Sequence, residues 1–182
     1  MEKKLNPQHL AVVTFARDSL SLNGQGVLAD WPRLAQELFG SDMPSGPVTW
    51  QLQGRSVPQS GGADQIWLDL KALVNLPLQC QRCLKPVLET VQAERSFRFV
   101  ADEATATALD DEVEEDILVI SHDFDALALI EDELILSLPL VPLHEECPEA
   151  MPMSVADPEF ENAAQRPNPF GVLAGLKTDK ST

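Results

Sequence analysis

The most regular pattern in the chain is an alternation running from residue 66 to residue 78. Ile66, Leu68, Leu70, Ala72, Val74, Leu76 and Leu78 share one side of an extended backbone, opposed by Asp69, Lys71, Asn75 and Gln79. Side chains of a strand point alternately to its two faces, so this period predicts a long half-buried strand. A second run repeats it: Val91, Ala93, Phe97 and Phe99 against Gln92, Glu94, Ser96 and Arg98. A shorter alternation, VTWQLQG, marks another strand over 48–54. The two long strands, 65–79 and 87–100, are separated only by QCQRCLKP, which predicts an antiparallel hairpin with that segment at its tip.

Helical spacing appears elsewhere. In GVLADWPRLAQELFG, Asp30 suits a cap, Pro32 suits a first turn, and Leu34/Leu38 and Ala35/Phe39 are i,i+4 pairs ahead of Gly40. In HDFDALALIEDELILSLP, Asp123 or Asp125 can cap a helix with Leu127, Ile130, Leu134 and Leu138 as its apolar stripe. Pro139 and Pro142 end it. RSVPQSGGADQ is expected to be a flexible loop, ADEATATALDDEVEED an acidic loop, and ILVI a short buried strand. The predicted class is α+β: an antiparallel β-sheet with packed helices, an acidic loop and a flexible C-terminal arm. The domain reading is one α+β domain over 1–147, an acidic, Pro-rich linker over 148–167, and a docking arm over 168–182. In that arm Asn168 can cap, Pro169 fits a first turn, and Phe170, Leu173 and Leu176 line one face. Gly171 and Gly175 leave so short a helix marginal without a surface to fold on, either its own domain or another molecule.

Charge changes the picture more than composition does. Of 182 residues, 44% are hydrophobic, ordinary for a globular protein. The formal charge of −16 is carried unevenly: residues 99–165 hold nineteen acids and no Lys or Arg. Phosphate neutralisation requires Lys and Arg, so this stretch is unsuited to nucleic acid and suited to basic proteins, or simply to keeping a face solvated. No apolar run approaches the roughly 20 residues that span a bilayer. The N-terminal twenty residues lack the pattern of a secretory signal, so a cytoplasmic chain with reduced thiols and no membrane association is expected.

Two cysteines, Cys80 and Cys83, have the spacing that lets two thiolates reach one tetrahedral ion from a tight turn. His144 and Cys147 repeat the separation sixty-one residues later, which makes a Cys3His zinc shell conceivable. The other reading is a pair of reduced, partly buried thiols at a hairpin end. A redox pair fits less well, because no helix N-terminus follows to lower a thiol pKa. His9, His122 and His144 lie in dissimilar contexts that offer no nucleophile–base constellation, and no phosphate-cradling glycine loop appears. No catalytic residue and no cofactor other than zinc is therefore expected. Arg82, Lys85, Arg95 and Arg98 are the candidate RNA contacts; the alternative is a scatter of surface cations.

The strand leading into LQCQRCLKPV, the acidic helix EDELILSLPLVPLH and the terminal NPFGVLAGLK together resemble the large ribosomal RNA subunit accumulation protein family (YceD-like). The resemblance spans most of residues 65–177. It implies a cytoplasmic, non-enzymatic factor in the synthesis, processing or accumulation of large-subunit (23S) ribosomal RNA, and it brings no catalytic residue. Many relatives carry further cysteines after the LPLVPLH stretch, in a tail resembling a zinc-binding element; here His144 and Cys147 stand in that region. The functional expectation is a ribosome-biogenesis factor that binds a basic ribosomal protein, an rRNA-processing factor or pre-ribosomal RNA. The alternative is a zinc-stabilised RNA-binding module centred on the Cys80–Cys83 hairpin.

Overall fold

The computed structural model describes residues 5–40, 45–110, 112–149 and 170. Its spine is the expected hairpin. Strand β3, Gln65–Gln79, pairs antiparallel with β4, Pro86–Val100, in an unbroken register from Ile66↔Phe99 to Gln79↔Pro86. Before them come β1, Ser21–Gly26, and β2, Val48–Val57, also antiparallel; β5, Asp116–Val119, joins the other edge parallel to β4. The sheet order is β1-β2-β3-β4-β5, the order of the sequence. The sheet is thus mostly antiparallel with one parallel edge.

The alternation read from the sequence sets which face is buried. Leu52 of β2, Leu68, Leu70, Val74 and Leu76 of β3, and Val91, Phe97 and Phe99 of β4 are all buried. Helices α1, Val12–Arg17, and α3, Ala126–Leu136, contribute Phe15, Ala16, Ile130 and Leu134 to the core. The opposite face carries polar cross-strand contacts: Arg55 Nε donates to Asp69 Oδ2 at 2.8 Å, and the Ser96 hydroxyl donates to Asp69 Oδ1 at 2.6 Å. The architecture is α+β, with α1 and α3 packed on the core face of the sheet. Phe124, just before α3, meets Phe99 edge-on at 5.1 Å between ring centroids, and its carbonyl accepts the Leu10 amide at 2.9 Å.

Three expectations are corrected. The 26–40 segment is not an α-helix but two 3₁₀ turns, Leu28–Asp30 and Leu34–Glu37. Pro32 has no N–H to give, and the amides of Arg33 and Leu34 are satisfied from outside, by Glu131 Oε1 at 2.8 and 3.1 Å. The acidic loop contains a helix, α2, Glu103–Asp110, whose first turn is capped by Asp102 Oδ1 accepting from Thr105 N at 2.8 Å. The loop after β2 begins later than expected, because Arg55, Ser56 and Val57 pair with Trp67, Ile66 and Gln65.

The expected helix near the end of the domain is α3, capped by Asp125, whose carboxylate accepts from Leu127 N and Ala128 N at 3.0 Å each. Among the described residues no helix is long and apolar enough to cross a membrane. The linker and arm expected over 148–182 lie outside the described residues except for Pro148, Glu149 and Phe170, so Asn168, Pro169, Leu173 and Leu176 have no structural account.

Candidate metal centre

The β3–β4 turn is built around Cys80. Its amide donates to the Lys85 carbonyl at 2.9 Å, and its carbonyl accepts from Leu84 N at 2.8 Å. Leu84 closes the turn with φ 60, a left-handed conformation uncommon for a residue with a branched side chain. The next amide, Gln81 N, donates to the Pro142 carbonyl at 2.9 Å. That bond brings the segment after α3 alongside the tip, and with it His144.

Cys80 is fully buried, while Cys83 and His144 are half-buried. His144 N approaches Cys80 Sγ at 3.5 Å, and His144 Nδ1 lies 3.4 Å from Cys83 Sγ. The other ring nitrogen, Nε2, is 3.1 Å from the Pro86 carbonyl oxygen. A carbonyl can only accept, so Nε2 carries the hydrogen and a neutral ring turns its Nδ1 lone pair toward the thiols. Burial pushes the Cys80 thiol up, but the backbone N–H groups of Cys83, His144 and Arg82 and the His144 side chain outweigh it and bring the thiol down to about 5.

One ligand atom from each of Cys80, Cys83, His144 and Cys147 lies within 4.8 Å of the others. The two halves of the expected donor set therefore meet, and this cluster has the composition to hold a metal ion. None of the three cysteines is in a disulfide.

The four candidate RNA cations do not form one patch. Arg82 and Lys85 are in the turn. Arg95 and Arg98 lie ten or more residues along β4, about 30 Å away at the usual rise per strand residue. Three residues apart on a strand, Arg95 and Arg98 also point to opposite faces. Arg95 Nε reaches Glu133 Oε2 of α3 at 3.4 Å, while Arg98 is paired in register with Trp67. Of the other histidines, His9 Nδ1 pairs with Asp123 Oδ1, both exposed, and His122 is exposed.

Pattern reasoning missed two buried carboxylates. Glu131 and Glu133 are 6% and 7% exposed, although they belong to the acid-rich stretch 99–165. Their signal was positional: Glu131 stands three residues before Leu134 and Glu133 three after Ile130, so each borders the buried stripe of the helix. Exposed apolar residues were missed as well. Leu136, Leu140, Val141 and Leu143 lie exposed, followed directly by exposed Glu145 and Glu146.

No solved structure matches the chain. A curated relative, the large ribosomal RNA subunit accumulation protein YceD of Haemophilus influenzae, is 38% identical over 109 residues, covering 59% of this chain and 63% of its own length. The match thus spans less than two thirds of that relative. The family profile of the large ribosomal RNA subunit accumulation protein YceD matches residues 68–177, a region that takes in the hairpin, its thiol turn and α3. The chain belongs to the YceD family of large ribosomal RNA subunit accumulation proteins.

Proposed function

We propose that this protein promotes the accumulation of large-subunit ribosomal RNA without catalysing a reaction, by holding a basic protein of the pre-ribosome or of its processing machinery. The observation that carries this reading is the field of residues 99–165, nineteen acids with no Lys or Arg. Such a field raises the local concentration of cationic partners and repels phosphate. Glu112, Glu114, Glu115 and Asp116 are exposed, and so are Glu145 and Glu146. The exposed apolar side chains of Leu140, Val141 and Leu143 precede this last pair. Charge would set the rate of encounter, and burial of those apolar groups its lifetime.

The test is complementation in cells lacking the protein, reading the ratio of large- to small-subunit rRNA. Replacing Glu112, Glu114, Glu115 and Asp116 with Gln and Asn is expected to lower that ratio, together with ribonuclease-resistant recovery of the basic partner. Full restoration by the neutralised variant, or turnover of RNA by the purified chain, overturns the reading.

A second reading, a zinc-stabilised RNA-binding module, is favoured by the presence of Arg82 and Lys85 in the same turn as two thiols of the cluster. It demands tight binding of bare rRNA with a steep salt dependence that is reduced in Arg82→Ala.

A further inference from the structure

We propose that the free edge of β4, from Leu88 to Glu94, is a strand-addition site for an extended, Lys- and Arg-bearing segment of the basic partner. This rests on the function proposed above and names the surface that the partner uses.

Strand β4 is covered unequally on its two sides. β3 follows it from Pro86 to Phe99, whereas β5 covers only Phe97–Val100. Which backbone groups face the uncovered side follows from the bonds around the hairpin. The Val100 carbonyl accepts from Ile120 N, just past β5, at 2.8 Å, and the Pro86 carbonyl meets His144 Nε2 at 3.1 Å. On β3, the Asn75 and Pro77 carbonyls accept from Gly46 N and Phe39 N, so these two residues turn their backbone groups away from β4. Their register partners, Thr90 and Leu88, therefore turn away from β3. Backbone groups alternate sides along a strand, so Leu88, Thr90, Gln92 and Glu94 all present N–H and C=O to the edge. Among the described residues none of these groups has a hydrogen-bond partner.

The slot suits one kind of occupant. It is about 20 Å long at ~3.4 Å per residue, room for about seven residues. His144 closes it at the hairpin tip and β5 at the other end. Between them β4 has neither a proline nor a bulge, two devices by which edge strands refuse a neighbour. A second copy is refused by charge instead, because Glu89 and Glu94 lie on the strand and each chain carries −16.

The same charge invites a cationic strand. Glu114, Glu115 and Asp116 lead into β5 at one end, and Glu145 and Glu146 stand at the other, all exposed. Among the described residues Glu89, Glu145 and Glu146 form no ion pair. At the tip the slot opens into a cavity of about 720 Å³ lined by Val87, Leu88, Glu89, Leu143, Glu145 and Glu146. Leu88 and Leu143 are 49% and 40% exposed there. A segment alternating apolar and basic residues would set the former against these leucines and the latter against the glutamates. Main-chain bonds would supply affinity, and the side chains the choice of partner.

The test reads amide exchange in the full chain, alone and with a synthetic peptide of about eight residues alternating Lys and Val. In the free chain the outward amides of Leu88, Thr90, Gln92 and Glu94 should exchange faster than the β3-facing amides of Glu89, Val91 and Ala93. Saturating peptide should slow the outward set about tenfold or more. The same peptide N-methylated at every residue keeps its charge but has no N–H to donate, and should bind about tenfold or more weakly. Thr90→Pro removes one outward N–H and leaves the ladder to β3 intact; it should bind the parent peptide more weakly and melt close to the unaltered chain. Should that variant fail to fold, the two peptides on the unaltered chain settle the matter. Outward amides already slow in the free monomer would give the edge to the chain's own residues. A dimer showing the same protection would give it to a second copy, and equal binding of the two peptides would leave charge alone as the cause. Each of these results overturns the inference. In cells, ribonuclease-resistant recovery of the basic partner by Thr90→Pro at the parent level overturns the edge and leaves the proposed function standing. A parent chain that recovers no basic protein overturns both.

Discussion

Gly54 of β2 lies against the backbone of Phe15 in α1: a Cβ placed on Gly54 would sit 2.6 Å from the Phe15 carbonyl oxygen and 2.7 Å from its Cδ1. The missing side chain is what lets α1 settle on the sheet. Gly54 N also donates to the Leu20 carbonyl at 2.9 Å, which fixes the turn between α1 and β1. Because the obstacle is backbone, Gly54→Ala cannot be absorbed by a rotamer change. A loss of about 1–3 kcal/mol in unfolding free energy is expected, in the range of overpacked cores. Denaturant melts with an unchanged slope would measure it; a loss below the error of extrapolation would show that α1 moves freely.

Glu131 is the second joint. Its Oε1 accepts from the amides of Arg33 and Leu34, and its Oε2 accepts from Arg33 Nε at 2.9 Å. Leu34 is fully buried, so removing the carboxylate strands an amide that water cannot reach. Glu131→Ala should cost about 1–3 kcal/mol for that donor alone. Amide exchange at Leu34 should accelerate more than exchange within β3. Equal acceleration everywhere would mean that the carboxylate supports the fold only globally.

Glu133 behaves in the opposite sense. Burial pushes its carboxyl up, helped by Asp116 and Asp132 and opposed by Arg95. A carboxyl that holds its proton more tightly when folded stabilises the fold fully below its ordinary value of 4.5, and that contribution is lost as pH rises through the raised value. Glu133→Gln mimics the protonated form. The variant should be at least as stable as the parent at neutral pH and should lose less stability than the parent as pH rises above 4.5. A variant weaker than the parent only at neutral pH would show that the Arg95 contact dominates instead.

Asp125 caps α3 with two 3.0 Å bonds to amides of the first turn. Asp125→Ala should cost about 1 kcal/mol, and Asp125→Asn, which keeps an acceptor, much less. For a unit of this size the alanine variant should melt about 3 °C lower. Identical melting of both variants would indicate that the charge, and not the hydrogen bonds, is what matters there.

How much of this was legible in the sequence depended on whether the deciding contact was local. The strands over 65–79 and 87–100 were readable because every second side chain reports its own face, and α3 because Asp125 and the stripe through Ile130 and Leu134 are near neighbours. The 26–40 segment was misread because the groups that settle it are supplied by Glu131, 97 residues away. Helix α2 was missed because an exposed helix buries no stripe; only Asp102 and Thr105 announce it. Helix α1 and strand β1 gave little signal: SLNGQG has one large apolar residue and acquires its extended form by pairing with β2. At the thiol turn, the spacing of Cys80 and Cys83 was visible. That His144 would arrive with Nε2 on the Pro86 carbonyl was not, because that depends on the bond from Gln81 to Pro142.

Because the strands lie side by side in the order in which they are made, a chain leaving the ribosome can add them one after another with little search. The underside cannot be sealed on that schedule. The Leu10 amide waits for Phe124, and the amides of Arg33 and Leu34 wait for Glu131. A nascent chain halted before α3 would carry a finished sheet with an unsealed greasy floor, and would depend on chaperones until the last third emerged.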